Sequence, residues 1–187
     1  MYSTSDFRKN LKLMVDGAPY VITDFQHVKP GKGNQFTRTK MRNLLTGANL
    51  ERTFKSGEKF EVPNVTNQDV SYLYQDDSGY HFMDQSSFEQ VMITTQDMTD
   101  EKLYLTENME VSLLFYNDKP IGITVPNTVN LLVTETEPAI KGDRVTGATK
   151  SATLQTGLAV QVPLHIKEGD TLKIDTRSGE YVERVNK

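Results

Sequence analysis

The chain has 187 residues, 36% of them hydrophobic and 9% aromatic, with a formal net charge of −4. That length suits one large domain or two or three small ones. Cysteine is absent and no apolar run is long enough for a membrane helix, so disulfides, thiol nucleophiles, Cys-ligated zinc and a helical span are all excluded.

The first residues, Met1 to Asp6, lack the basic start and apolar stretch of a secretory signal, so a cytoplasmic location with no membrane partner is expected. The net charge hides a gradient. Residues 1–64 carry eleven Lys/Arg against six Asp/Glu, residues 65–127 two against eleven, and residues 128–187 eight against eight. The basic first third suits phosphate. The acidic middle third repels it and suits basic protein.

In chain order, Leu11–Val15 reads as a short strand, closed by Asp16-Gly17. Strand-like sequence follows from Tyr20 to Val28 and again from Gln35 to Leu45, separated by Pro30-Gly31-Lys32-Gly33. Pro-Gly and Gly-Lys-Gly are turn chemistry, because glycine reaches positive φ cheaply and proline presets the entry. The expected product is a hairpin tipped by one long cation, Lys32. Behind the tip, side chains alternate faces, so Arg38, Lys40 and Arg42 share a face with Phe36, and Thr37, Thr39 and Met41 take the other. Cations about 7 Å apart on a strand match phosphate spacing well enough to predict phosphate contact, with Lys29 and Lys32 adding to it. The plainer reading is an ordinary solvated strand face.

Further strands are expected at Tyr72–Tyr74, Glu110–Tyr116, Gly122–Val125, Asn130–Glu135, Ala159–Val162 and Thr171–Asp175, with turns at Asp77-Ser78-Gly79, Asn117-Asp118, Lys141-Gly142-Asp143 and Ser178-Gly179. Short strands punctuated this often predict an all-β chain of barrels or sandwiches. Two short helices are expected, over Ser86–Met92 with Asp84 or Ser86 as cap, and over Asp100–Leu105. Val62-Pro63-Asn64 and Val125-Pro126-Asn127 are proline-bearing breaks, the first at a change of charge sign. They divide the chain into domains 1–64, 65–127 and 128–187. The simpler alternative is two domains, the last two pieces sharing one core.

Catalytic signatures are missing. His27, His81 and His165 stand alone, at no metal-ligand spacing, and no nucleophile elbow, P-loop or dinucleotide fingerprint is present. No enzyme activity, no metal and no cofactor are expected.

Several motifs together resemble a known family. Val28-Lys29-Pro30-Gly31-Lys32-Gly33, Arg42-Asn43-Leu44-Leu45-Thr46-Gly47 and Thr53-Phe54-Lys55-Ser56-Gly57 are similar to the first domain of bacterial elongation factor P. Lys150-Ser151-Ala152, Gly157, Val160, Val162-Pro163, Ile166 and Gly169 follow that family's signature spacing, and Asp175-Thr176-Arg177-Ser178-Gly179-Glu180-Tyr181 resembles its ending. The resemblance covers essentially the whole chain. It implies three small β-barrels in an L-shaped, tRNA-like arrangement, a KOW/SH3-like barrel followed by two OB-type barrels.

It also implies a function: a translation elongation factor that binds both ribosomal subunits between the P and E sites, as a monomer. There it positions the acceptor end of the P-site peptidyl-tRNA, stimulates peptide-bond formation and relieves stalling at consecutive prolines. The resemblance places the tip role on Lys32, with Pro30, Gly31 and Gly33 shaping the tip and Lys29, Arg38, Lys40 and Arg42 touching tRNA or rRNA. It implies a lysine-modifying enzyme acting on Lys32. A lysine here excludes the rhamnosyl-arginine version; β-lysylation is favoured, with an aminopentanol group or an unmodified lysine left open. The loop carrying Gly142, Asp143, Arg144, Thr146, Gly147 and Lys150 resembles the one that approaches the E-site codon on the small subunit. Two rivals remain: a general single-stranded nucleic-acid-binding OB protein, which would need stacking platforms and a basic groove, and a factor-P-like paralogue of different role.

Overall fold

The computed structural model describes residues 1–139 and 147–185. Strand sequence dominates it. In the first segment lie β1 (Tyr2–Ser3), β2 (Lys12–Val15), β3 (Ala18–Val28), β4 (Phe36–Asn43), β5 (Asn49–Lys55) and β6 (Lys59–Phe60). Then come β7 (Val65–Gln75), β8 (Gly79–Asp84), β9 (Gln90–Thr94), β10 (Glu110–Tyr116) and β11 (Lys119–Thr124). Last are β12 (Thr128–Thr136), β13 (Thr149–Leu154), β14 (Ala159–Pro163), β15 (Thr171–Asp175) and β16 (Glu180–Arg184). New strands begin at Val65 and Thr128, directly after the two Val-Pro-Asn breaks.

The sheets run β2-β3-β4-β5 with a β1-β6 pair, then β11-β10-β7-β8-β9, then β14-β13-β12-β15-β16. By contacts the chain groups into two compact units. One is Met1–Asn67 with Leu114–Gly122; the other is Gln68–Leu113 with Ile123–Lys187.

In the first unit, alternation drives burial. Leu13 and Val15 of β2, Ile22 of β3 and Met41 of β4 point inward, joined by Phe7, Phe54 and Phe60. The three phenyl rings close on one another with centroids 4.8 to 6.0 Å apart, the offset and edge-on geometry aromatic quadrupoles favour. A β-bulge between Ile22 and Asp24 raises the twist of β3 where it leaves this core for the long hairpin.

In the second unit, Val129, Leu131 and Val133 of β12 pack with Leu154, Val160, Val162, Ile166, Leu172 and Ile174. Tyr104 joins the same core from outside those strands, with Leu103, Met109 and Val125 packed against it. Thr156 Oγ1 donates to the Leu103 carbonyl at 2.6 Å. Earlier in this unit, Val70, Tyr72, Tyr80, Phe82, Ile93, Val111 and Leu113 are buried on β7 to β10.

The two expected helices fare differently. Asp100–Tyr104 forms a single 3-10 turn. Residues Ser86–Met92 are not helical; a turn leads into β9. Asp84 does cap that turn, accepting from Ser86 N at 2.7 Å and Ser87 N at 2.9 Å. The β-rich run Val91-Met92-Ile93 then pairs with β8 instead of continuing a helix.

Asp84 also gives a pH dependence. The Ser86 hydroxyl first, then the Gln68 amide and the Ser86 and Ser87 N–H groups, hold its carboxyl far below the usual carboxylate range. A depressed native pKa adds stability that is complete above the unfolded value, about 3.9, and is lost as pH falls below it. Asp76, held low by the His81 imidazole 2.9 Å away, and Asp175, held low by Arg177, act in the same direction. Urea midpoints measured between pH 5 and pH 3 should fall in the parent and fall less in Asp84→Asn. Equal slopes in the two proteins would refute this assignment.

Candidate nucleic-acid interface

The long ribbon of β3 and β4 carries the candidate site. Its register pairs Val28 with Phe36, His27 with Thr37, Gln26 with Arg38 and Asp24 with Lys40. The connecting loop is the seven residues 29–35, all exposed. Gly31, Lys32 and Gly33 form its bend, directly after Pro30. Only Gly33 of the two glycines uses positive φ, at +109°; Gly31 does not. Lys32 has no hydrogen bond or ion pair among the described residues, so its ammonium is free to meet a partner.

The ribbon is stiffened just below the tip. His27 Nδ1 and Thr37 Oγ1 lie 2.9 Å apart across the strands, and Ser56 N donates to the Gln35 carbonyl at 3.1 Å. The Phe25 and His27 rings meet edge to face at 5.4 Å.

The expected face is present. Arg38, Lys40 and Arg42 are exposed, while Thr37, Thr39 and Met41 are buried. The Arg38 guanidinium lies 5.9 Å from the Phe36 ring centre, a cation–π approach that keeps it beside the tip. The stripe is not uniformly basic, however. Lys40 stands in register between Asp24 of β3 and Glu51 of β5, whereas Arg38 faces Gln26 and Thr53. Lys40 is therefore the compensated cation of the stripe, whereas Arg38 and Arg42, the latter opposite Val21 and Asn49, face no acid. Lys55, exposed and in register with Phe36, adds a cation that sequence reasoning missed. Only the cross-strand pairing of β4 with β5 places it there.

The third-domain residues are placed less completely. Gly142, Asp143, Arg144 and Thr146 lie outside the described residues. Gly147 is exposed. Lys150 is 8% exposed, and its Nζ donates to the Glu137 carbonyl at 2.6 Å. Its charge is committed to a backbone carbonyl, not offered to solvent. Among the described residues no group of three or more His, Cys, Asp or Glu could hold a metal ion, and no helix is long and apolar enough to cross a membrane.

A lysine-tipped β-ribbon on a small barrel, followed by further β-domains, defines an all-β, multi-barrel class of protein. Over 66% of this chain the fold is similar to that of a protein described as eukaryotic translation initiation factor 5A from Methanococcus jannaschii, with a TM-score of 0.56 at 21% identity over 91% of that chain. Family models match in order along the chain: the elongation factor P KOW-like domain over residues 3–60, its OB domain over 65–123 and its C-terminal domain over 129–184. An elongation factor P of Bdellovibrio bacteriovorus is 67% identical over 186 residues, 100% of this chain and 99% of that protein. One from Moorella thermoacetica is 51% identical over 185 residues, 99% of this chain and all of that protein. The chain belongs to the elongation factor P family.

Proposed function

We propose that this protein is a translation elongation factor that binds the ribosome between the P and E sites and uses Lys32 to hold the acceptor end of the peptidyl-tRNA. The observation that carries the reading is the free Lys32 ammonium on a braced ribbon, backed by Lys29, Arg38, Lys40 and Arg42. Proline's ring fixes φ and restricts how a nascent chain approaches its acceptor. The ribosome supplies the catalyst; what is missing at consecutive prolines is geometry. A factor that holds the tRNA end near its reactive arrangement removes part of the entropic barrier. Lys32 is then a positioning group and the protein is not an enzyme.

Gly33, at positive φ, would shape the tip, with Pro30 and Gly31 leading into it. Modification of Lys32 by a dedicated enzyme, with β-lysylation favoured, would extend its reach. Gly142, Asp143, Arg144, Thr146 and Gly147 would approach the E-site codon on the small subunit, with Lys150 bracing the base of that loop. The protein would act as a monomer in the cytoplasm.

The reading is tested by adding the purified protein to reconstituted translation. Yield of a peptide containing Pro-Pro-Pro should rise, and yield of a matched peptide without proline runs should change little. Equal stimulation of both, or of neither, overturns the proposal. The intact mass of the cellular protein reports a β-lysyl group, an aminopentanol group or bare lysine.

A further inference from the structure

Phe88, remote in sequence from the tip, is held in an unusual way. It sits at the end of the β8–β9 hairpin with φ +58° and is 69% exposed. Left-handed backbone is strained for so bulky a side chain, and glycine or asparagine would take the position at lower cost. Exposing the ring to water gives nothing back. Yet the loop leaves no freedom to relax. Phe88 N donates to the Asp84 carbonyl and Asp84 N to the Glu89 carbonyl, both at 2.9 Å. The Asp84 carboxylate, itself largely buried, accepts from Ser86 N, Ser86 Oγ, Ser87 N and Gln68 Nε2. The result is a rigid pedestal that presents a phenyl ring. Strain over-determined by its surroundings is characteristic of functional positions, and rigid aromatic anchors dominate binding interfaces.

We infer that Phe88 is a docking anchor for a basic protein surface, its ring seated in an apolar pocket of the partner. Charge selects the partner class. Residues 65–127 carry two Lys/Arg against eleven Asp/Glu, and the exposed Glu89 directly follows Phe88 in the chain. Such a surface repels a phosphate backbone and attracts a Lys/Arg-rich protein face. The inference rests on the ribosome reading, because a ribosome offers basic protein among its RNA.

Phe88→Gly separates anchor from scaffold. Glycine accepts φ +58° without strain, so its Tm should equal or exceed the parent's. Its Kd for purified 70S ribosomes, read by fluorescence anisotropy, should rise about tenfold. In Phe88→benzoylphenylalanine, illumination on 70S ribosomes should yield adducts with a Lys/Arg-rich ribosomal protein. A lowered Tm would make Phe88 structural and overturn the inference. So would an unchanged Kd, adducts confined to RNA or to a second copy of this chain, or no adducts at all. If the parent itself fails to bind ribosomes, the ribosome reading falls and the anchor with it; if the parent binds and Phe88→Gly binds equally, only the anchor falls.

Discussion

Lys32→Ala is expected to leave the fold intact and to slow synthesis through a Pro-Pro-Pro reporter by about tenfold to a hundredfold, the loss of about 1.4 to 2.8 kcal/mol of barrier lowering. The fold survives because Lys32 is exposed on the loop and makes no contact whose loss would be felt. Surface changes of that kind move stability by no more than about 0.5 kcal/mol. The rate falls because the ribbon without its ammonium has no group at its end to meet the RNA backbone. The glycines supply the control. A β-carbon at Gly31 meets nothing within 4 Å, so Gly31→Ala should translate the reporter nearly as well as the parent. Gly33 sits at φ +109°, so Gly33→Ala must bend the tip and should lose reporter rate at unchanged Tm. A Lys32→Ala rate equal to the parent's would remove this lysine from the site.

The largest stability loss is expected in Gly79→Ala. A β-carbon there would stand 2.2 Å from the Ile93 carbonyl oxygen and 2.8 Å from Thr94 Cα. Both atoms are backbone, so no side chain can swing aside. Gly79 is also pinned from its own turn: its N–H donates to Asp76 Oδ1 at 3.1 Å, and its carbonyl accepts from Asp76 N at 3.0 Å. To make room, β9 must separate from β8 where Gly79 pairs with Thr94. The expected cost exceeds about 3 kcal/mol, beyond ordinary overpacking, because the ladder itself must open. Urea unfolding measures it; a midpoint matching the parent's would mean that the end of β9 yields freely.

How much of this was legible depended on how local the cause was. Glu110–Tyr116 and Thr171–Asp175 could be read to the residue, because apolar alternation and flanking turns lie within the segment itself. The hairpin and the faces of Arg38 and Thr37 were legible for the same reason. Ser86–Met92 misled because Asp84 followed by serines is the same capping chemistry at a helix start and in a tight turn. The strand partner that decides between them, Gly79–Asp84, carries little alternation of its own. Lys40 between two carboxylates and Lys55 beside Phe36 needed the cross-strand register. Lys150 was read as an exposed cation because lysines usually are; the Glu137 carbonyl that holds it lies thirteen residues away in the chain.

Tyr104 has a consequence for how the molecule comes apart. Its ring belongs to the core built by β12 to β15, although the chain reaches it before β10 has begun. Neither stretch can be peeled away without uncovering apolar surface on the other. Thr176 Oγ1, donating to the Pro126 carbonyl, adds a polar stitch across the same connection. Packing and a hydrogen bond thus cross the proline-bearing break at Pro126. Under a pulling force or a creeping denaturant, the shared Tyr104 core and the Thr176–Pro126 hydrogen bond are expected to make the stretches on either side of Pro126 give way together.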